Sequence, residues 1–156
     1  MNAVAQPIAS DHPWPVRAIL TGGLLAGLGD ILFAMYMWSW HVPRVVAAGV
    51  LGPDAMKSEA WDVWSLGLML HFAITCAAAA IYTLTSRKLG FLKEHALICG
   101  LFFGIAVWLA MNLIVVPVSA LHRTGPFTYE SMVQGLLAHM FLVGLPIAFS
   151  AKYLSK

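Results

Sequence analysis

The sequence predicts an all-α fold, a bundle of four transmembrane helices, and two observations predict it. Of the 156 residues, 60% are apolar and 10% are charged, whereas soluble domains have about 45–50% apolar and 25% charged residues. The apolar residues also form four blocks with at most one charge each, and each block exceeds the roughly 20 residues that a helix needs to cross the bilayer. The predicted spans cover residues 18–40, 63–86, 95–117 and 131–151.

The ends of the chain lie outside this single membrane domain, which covers residues 18–151. Residues 1–17 form a proline-containing lead-in, and residues 152–156 form a short tail. The first fifteen residues contain no basic residue and no apolar run of seven, so we do not expect a cleaved secretory signal.

The first span contains one charged residue, Asp30, and ends at Trp38 and Trp40. Tryptophan is typical of helix ends at the membrane surface. In the connection that follows, residues 42–51 are apolar around Arg44 and predict a segment lying in the interface. Residues 52–54, Gly-Pro-Asp, predict a turn.

The second span is opened by Trp61 and Trp64. Pro117 is expected to end the third span, and Pro146 to kink the fourth, because proline lacks the N–H group that a helix interior requires. The cysteines, Cys76 and Cys99, lie in different spans, and we expect small apolar fillers, with neither a disulfide nor a metal site.

The basic residues predict the orientation, because cytoplasmic loops carry more Lys and Arg. One side of the predicted topology holds six basic residues: Arg17, Arg87, Lys88, Lys93, Lys152 and Lys156. The other side holds three: Arg44, Lys57 and Arg123. Both termini are therefore expected in the cytoplasm, and the protein in the inner (plasma) membrane. The basic residues are scattered along the sequence and form no continuous stripe, which excludes nucleic-acid binding.

An internal repeat predicts two tandem helical hairpins. Gly23 and Gly27 of the first span match Gly100 and Gly104 of the third at an offset of 77 residues. Residues 67–72 of the second span match residues 135–140 of the fourth at an offset of 68. Two copies of a two-span unit run in the same direction, as a parallel pseudo-repeat. Small residues let membrane helices approach closely, so the two glycine pairs are candidates to face each other.

Ionisable groups at membrane depth indicate function by default. Asp30, His71 and His139 are predicted to share one buried polar layer, with Asn112 as a fourth polar residue. The two histidines, each eight residues from the outer boundary of its span, lie roughly 12 Å deep.

Three hypotheses fit this layer. His71 and His139 could be the axial ligands of a haem b that carries electrons. Asp30 and the two histidines could form a proton or ion pathway. The third hypothesis is a polar clamp, in which a histidine bonds to Asp30 or to a backbone carbonyl and fixes helix register.

The second half of the chain resembles the YagU family of small bacterial inner-membrane proteins, over roughly residues 66–146. The resemblance rests on the span carrying His71, on the end of the glycine-rich third span at residues 117–119, and on Phe127, Glu130, Gly135 and His139. It implies a role for the two histidine positions but no reaction.

No catalytic motif is present in the sequence, and almost no extramembrane domain is predicted. The sequence therefore favours a non-enzymatic protein with no catalytic residues and no metal site. Its expected partners are the lipid bilayer and either copies of itself or the subunits of a larger membrane complex. Its expected role is that of an accessory, assembly or self-associating component.

Overall fold

The structure, a computed structural model, describes residues 15–122 and 128–155. Most of the predicted lead-in, together with Arg123, Phe127 and Lys156, lies outside these residues. The described chain contains four helices that are long and apolar enough to cross a membrane, α1 (Val16–Met37), α3 (Trp61–Lys88), α5 (Ala96–Val118) and α6 (Tyr129–Leu154). They identify a polytopic membrane protein, and they correspond to the four predicted spans.

The first span ends three residues earlier than predicted, at Met37, and the second and fourth spans are longer than predicted. Two shorter helices, α2 (Val42–Leu51) and α4 (Phe91–Glu94), lie in the connections. The turn predicted after α2 is present, since Gly52 has a φ of 91° and Pro53–Lys57 form a 3₁₀ turn.

The four spans do not form a symmetrical square. Helix α1 packs against both α3 and α6, while α5 packs mainly against α6. The start of α1, the connection between α3 and α5 and the end of α6 lie together, and there the Lys93 ammonium donates a hydrogen bond to the Ser155 carbonyl at 3.1 Å. We call this the terminal end of the bundle, and the opposite end, which carries α2, the loop end.

Glycines set the close contacts between helices, but not as the repeat predicted. The atoms nearest to Gly23 and Gly27 belong to Cys76, Phe72 and Thr75 of α3, whereas those nearest to Gly100 and Gly104 belong to α6. The expectation that the two pairs face each other is therefore wrong. Each pair packs inside its own hairpin, where it brings two consecutive spans together.

Helix α2 is held against the start of α3 by a backbone contact and by Arg44. The carbonyl oxygen of Pro43 lies where a side chain on Gly67 would begin. Arg44 is buried, and its guanidinium donates to His41 Nδ1 and, at 3.2 Å, to the Glu59 carbonyl. An arginine is permanently charged, and its bond to the Glu59 carbonyl, just before α3, helps to fix how α2 lies on the bundle.

Two π-helical turns interrupt the second hairpin, Met111–Val115 in α5 and His139–Gly144 in α6. Each precedes a proline, Pro117 or Pro146, by two residues. Proline cannot donate to the carbonyl four residues earlier, and a wider turn relieves this missing bond. The sequence indicated an irregular α6 at Pro146, and the irregularity begins seven residues earlier, at His139.

Candidate functional site

Asp30 is the acidic residue of α1, and it lies in the half of that helix nearer the loop end. It is seven residues from Met37, roughly 10 Å at the rise of an α-helix. Its side chain is 16% exposed. A carboxylate at this depth has few water molecules to solvate it, so it depends on polar protein neighbours for stabilisation.

Both intramembrane histidines lie next to this carboxylate. His71 Nε2 on α3 is 4.0 Å from Asp30 Oδ2, and His139 Nδ1 on α6 is 3.7 Å from Asp30 Oδ1. These distances are too long for hydrogen bonds but short enough for a strong charge interaction in a medium of low dielectric constant. Three spans thus converge on one group of ionisable side chains, which we call the Asp–His cluster (Asp30, His71 and His139).

Backbone carbonyls orient the two imidazoles. His71 Nε2 lies 2.9 Å from the Gly27 carbonyl of α1, and His139 Nδ1 lies 2.9 Å from the Gly135 carbonyl of its own helix. A carbonyl only accepts, so each of these ring nitrogens carries the proton and donates it. The other ring nitrogens, His71 Nδ1 and His139 Nε2, have no hydrogen-bond partner within the described residues, which leaves each imidazole able to take up a second proton.

Glycine makes both histidine placements possible. A side chain on Gly27 would begin 2.7 Å from the Phe72 ring, and one on Gly104 would begin 2.3 Å from the His139 carbonyl oxygen. A methyl group cannot fit at such distances. The small residues recognised in the sequence therefore bring α1 to His71 and α5 to His139.

The cluster is asymmetric with respect to the sequence repeat. His71 and His139 match at the offset of 68, but the residue matching Asp30 at the offset of 77 is Val107. One carboxylate therefore serves two histidines. The sequence could suggest that the three residues lie at one depth. It could not show that both histidines face the Asp30 carboxylate, because depth leaves the rotation of each helix undetermined.

Asn112 is not brought to the cluster. Gly104 lies beside His139, and Asn112 is eight residues further toward the loop end, roughly 12 Å along α5. Its amide donates to the Trp108 carbonyl at 2.8 Å and lines a cavity between α2, α3 and α5. The residue belongs to a separate feature.

The cluster does not have the geometry of a metal site. Throughout residues 15–122 and 128–155, no three His, Cys, Asp or Glu side chains are placed to hold one metal ion. The ring nitrogens that face Asp30 are also the ones that donate to carbonyls, and a nitrogen that carries a proton has no lone pair for a metal.

Haem fits no better. Bis-histidine ligation requires two imidazole nitrogens directed at one iron, with a flat porphyrin between them. Here both imidazoles lie within 4.0 Å of one carboxylate, and neither histidine is among the residues that line the cavity between α2, α3 and α5. The arrangement of these residues therefore does not support a haem site.

No family model, curated protein or solved structure matches this chain.

Proposed function

We propose that this protein is a non-enzymatic, proton-responsive membrane component, in which the Asp–His cluster binds and releases a proton and thereby changes how three spans are held together. One observation carries the proposal: the carboxylate of Asp30 lies within 4.0 Å of imidazoles from two other spans.

The charge balance of the cluster explains why it would hold a proton. With both imidazoles neutral, the carboxylate is an isolated charge in the membrane, and such a charge is costly. One proton, on either imidazole, creates a neutral ion pair. Histidine is the side chain that most readily exchanges protons in proteins, so we propose this cluster as the site that binds and releases the proton.

The packing between the cluster and the terminal end favours proton binding over proton conduction. Toward the terminal end, the described spans meet through a core of small and apolar side chains that includes Ala26, Ala79, Val143 and Ile147. The Thr75 hydroxyl of α3 donates to the carbonyl of Phe72 in its own helix. We therefore propose exchange with the loop end, without passage to the other side.

The orientation and location belong to the same proposal. The terminal end carries most of the basic residues, which supports cytoplasmic termini in an inner membrane. In this orientation the cluster responds to the pH of the outer side. The resemblance to the YagU family, and assembly with copies or partner subunits, stay predictions.

We also propose that the two hairpins arose by duplication. Gly23 packs on Cys76 and Gly27 on Phe72, while Gly100 packs on Gly144 and Gly104 on Met140. At the offsets of 77 and 68, the first two contacts map onto the second two. Equivalent positions therefore make equivalent contacts in both hairpins, which supports the tandem repeat.

Asp30→Asn tests the proposed proton site. A neutral amide does not stabilise an imidazolium ion, so the substitution should change the pH dependence of the ring signals of both His71 and His139. The measurement is the pH dependence of the histidine ring signals in NMR spectra of ¹³C-histidine-labelled protein in nanodiscs.

His95→Gln is the matched control, because His95 lies at the start of α5, at the terminal end. It should leave both titrations unchanged. Titrations of His71 and His139 that are identical with and without the Asp30 carboxylate would show that the cluster is not a shared proton site.

A further inference from the structure

A second feature of the fold is a cavity of about 660 Å³ between the two hairpins at the loop end. It is lined by residues of α2, α3 and α5, and by Ser131 near the start of α6. Most of its lining is apolar, for example Val46, Leu70, Ile74, Met111 and Val115. Its volume is within the range of cavities that bind small molecules.

The lining side chains decide what kind of molecule fits. Among the described residues, none of those that line the cavity is Asp, Glu, Lys, Arg or His. An ion would therefore find no counter-charge among these described lining residues and would enter at a high desolvation cost. The occupant should be uncharged and mainly apolar, as a molecule drawn from the bilayer would be.

Asn112 supplies the polar recognition. Its NH₂ group donates to the Trp108 carbonyl, which fixes the orientation of the amide, since a carbonyl must face a donor. The amide oxygen accepts no hydrogen bond from any residue that the structure describes, although the residue lines an apolar cavity. An unpaired acceptor at membrane depth is costly, so a ligand that donates to it gains affinity.

The neighbouring hydroxyls do not compete for this role. Ser119 donates to the Val116 carbonyl at 2.7 Å, and Ser131 donates to the Thr128 carbonyl at 3.0 Å. Both hydroxyls thus have their protons engaged within their own segments. The Asn112 amide oxygen therefore remains available to accept a hydrogen bond from a ligand hydroxyl.

We propose that this cavity binds a neutral membrane amphiphile, with its apolar chain among the side chains of α2, α3 and α5 and its hydroxyl group donating to Asn112 Oδ1. Two sources share this chemistry, the hydroxyl of a neutral glycerolipid and the hydroxyl of an isoprenoid quinol. The site is separate from the Asp–His cluster and does not depend on proton binding there.

Photo-crosslinking tests the proposal with the full chain in nanodiscs. The probe is hexadecanol carrying a diazirine in its chain, and the competitors are hexadecanol and its methyl ether, which has no hydrogen-bond donor. Crosslinks should map to the cavity-lining segments of α2, α3 and α5. Hexadecanol should compete about fivefold better than the ether, as expected for one hydrogen bond.

Three variants separate specific binding from general contact with lipid. Asn112→Leu should remove the difference between alcohol and ether, and Val46→Phe should fill the cavity and reduce crosslinking at least about fivefold. Leu113→Phe is the matched control, because Leu113 is 63% exposed and does not line the cavity. It should leave both results unchanged.

Competition by a monoacylglycerol or by an isoprenoid quinol then identifies the source, since either result supports the proposal. Three results would overturn it: crosslinks spread evenly over the exposed faces of all four spans, equal competition by alcohol and ether, or full crosslinking in Val46→Phe.

Discussion

Gly144→Ala should lower the free energy of unfolding by about 3 kcal/mol. The added methyl group would begin 2.0 Å from the Gly100 carbonyl oxygen and 2.8 Å from the Gly104 amide nitrogen. Both atoms belong to the backbone of α5, so no side-chain rotation can relieve the clash, and α5 must move away from α6. Unfolding in mixed micelles with increasing SDS, followed by circular dichroism, measures the loss.

Gly29→Ala is the matched control. It also adds a methyl group to a transmembrane glycine, but the nearest atom, Leu142 Cβ, lies 3.5 Å away, which is ordinary van der Waals contact. Its stability should be unchanged or up to about 1 kcal/mol higher, because alanine is the better helix former. Equal effects of the two substitutions would contradict the packing described for the second hairpin.

Gly67→Ala should detach α2 from the bundle while the four spans stay folded. The methyl group would begin 1.7 Å from the Pro43 carbonyl oxygen and 3.2 Å from the Ala47 amide nitrogen. Two positions on the backbone of α2 would thus be displaced, and Arg44 would lose its hydrogen bond to the Glu59 carbonyl. Amide hydrogen exchange should become at least about tenfold faster across residues 42–51.

The control for this substitution lies on α2 itself. A methyl group on Gly49 would begin 3.7 Å from Ser119 Cβ, so Gly49→Ala should leave exchange in α2 unchanged or slower. If α2 stays protected in Gly67→Ala, the contact between α2 and α3 is not what holds this helix in place.

The sequence could predict the four spans because each is a long block of apolar residues bounded by turn or aromatic residues. It could also predict the turn after α2, since Gly52 and Pro53 have strong backbone preferences. Residue counts from the span ends then placed Asp30, His71 and His139 at similar depths.

The arrangement of the helices could not be predicted in the same way. The glycine pairs lie at equal depths, but depth leaves the rotation of each helix undetermined, and so the predicted contact between Gly23 and Gly100 was wrong. The position of Asn112 depends on how α2, α3 and α5 are arranged around the cavity, for which the sequence carries no signal. For the π turn that begins at His139, Pro146 was the only indication in the sequence.

The most direct test of the central claim is whether His71 and His139 titrate as one unit. Two groups that share a single carboxylate compete for the same stabilised proton. In His139→Gln, the pH dependence of the His71 ring signals, measured by the NMR experiment described above, should therefore change, whereas the substitution His122→Gln, at an exposed position four residues beyond the end of α5, should leave it unchanged. A His71 titration that is the same with and without His139 would contradict the account.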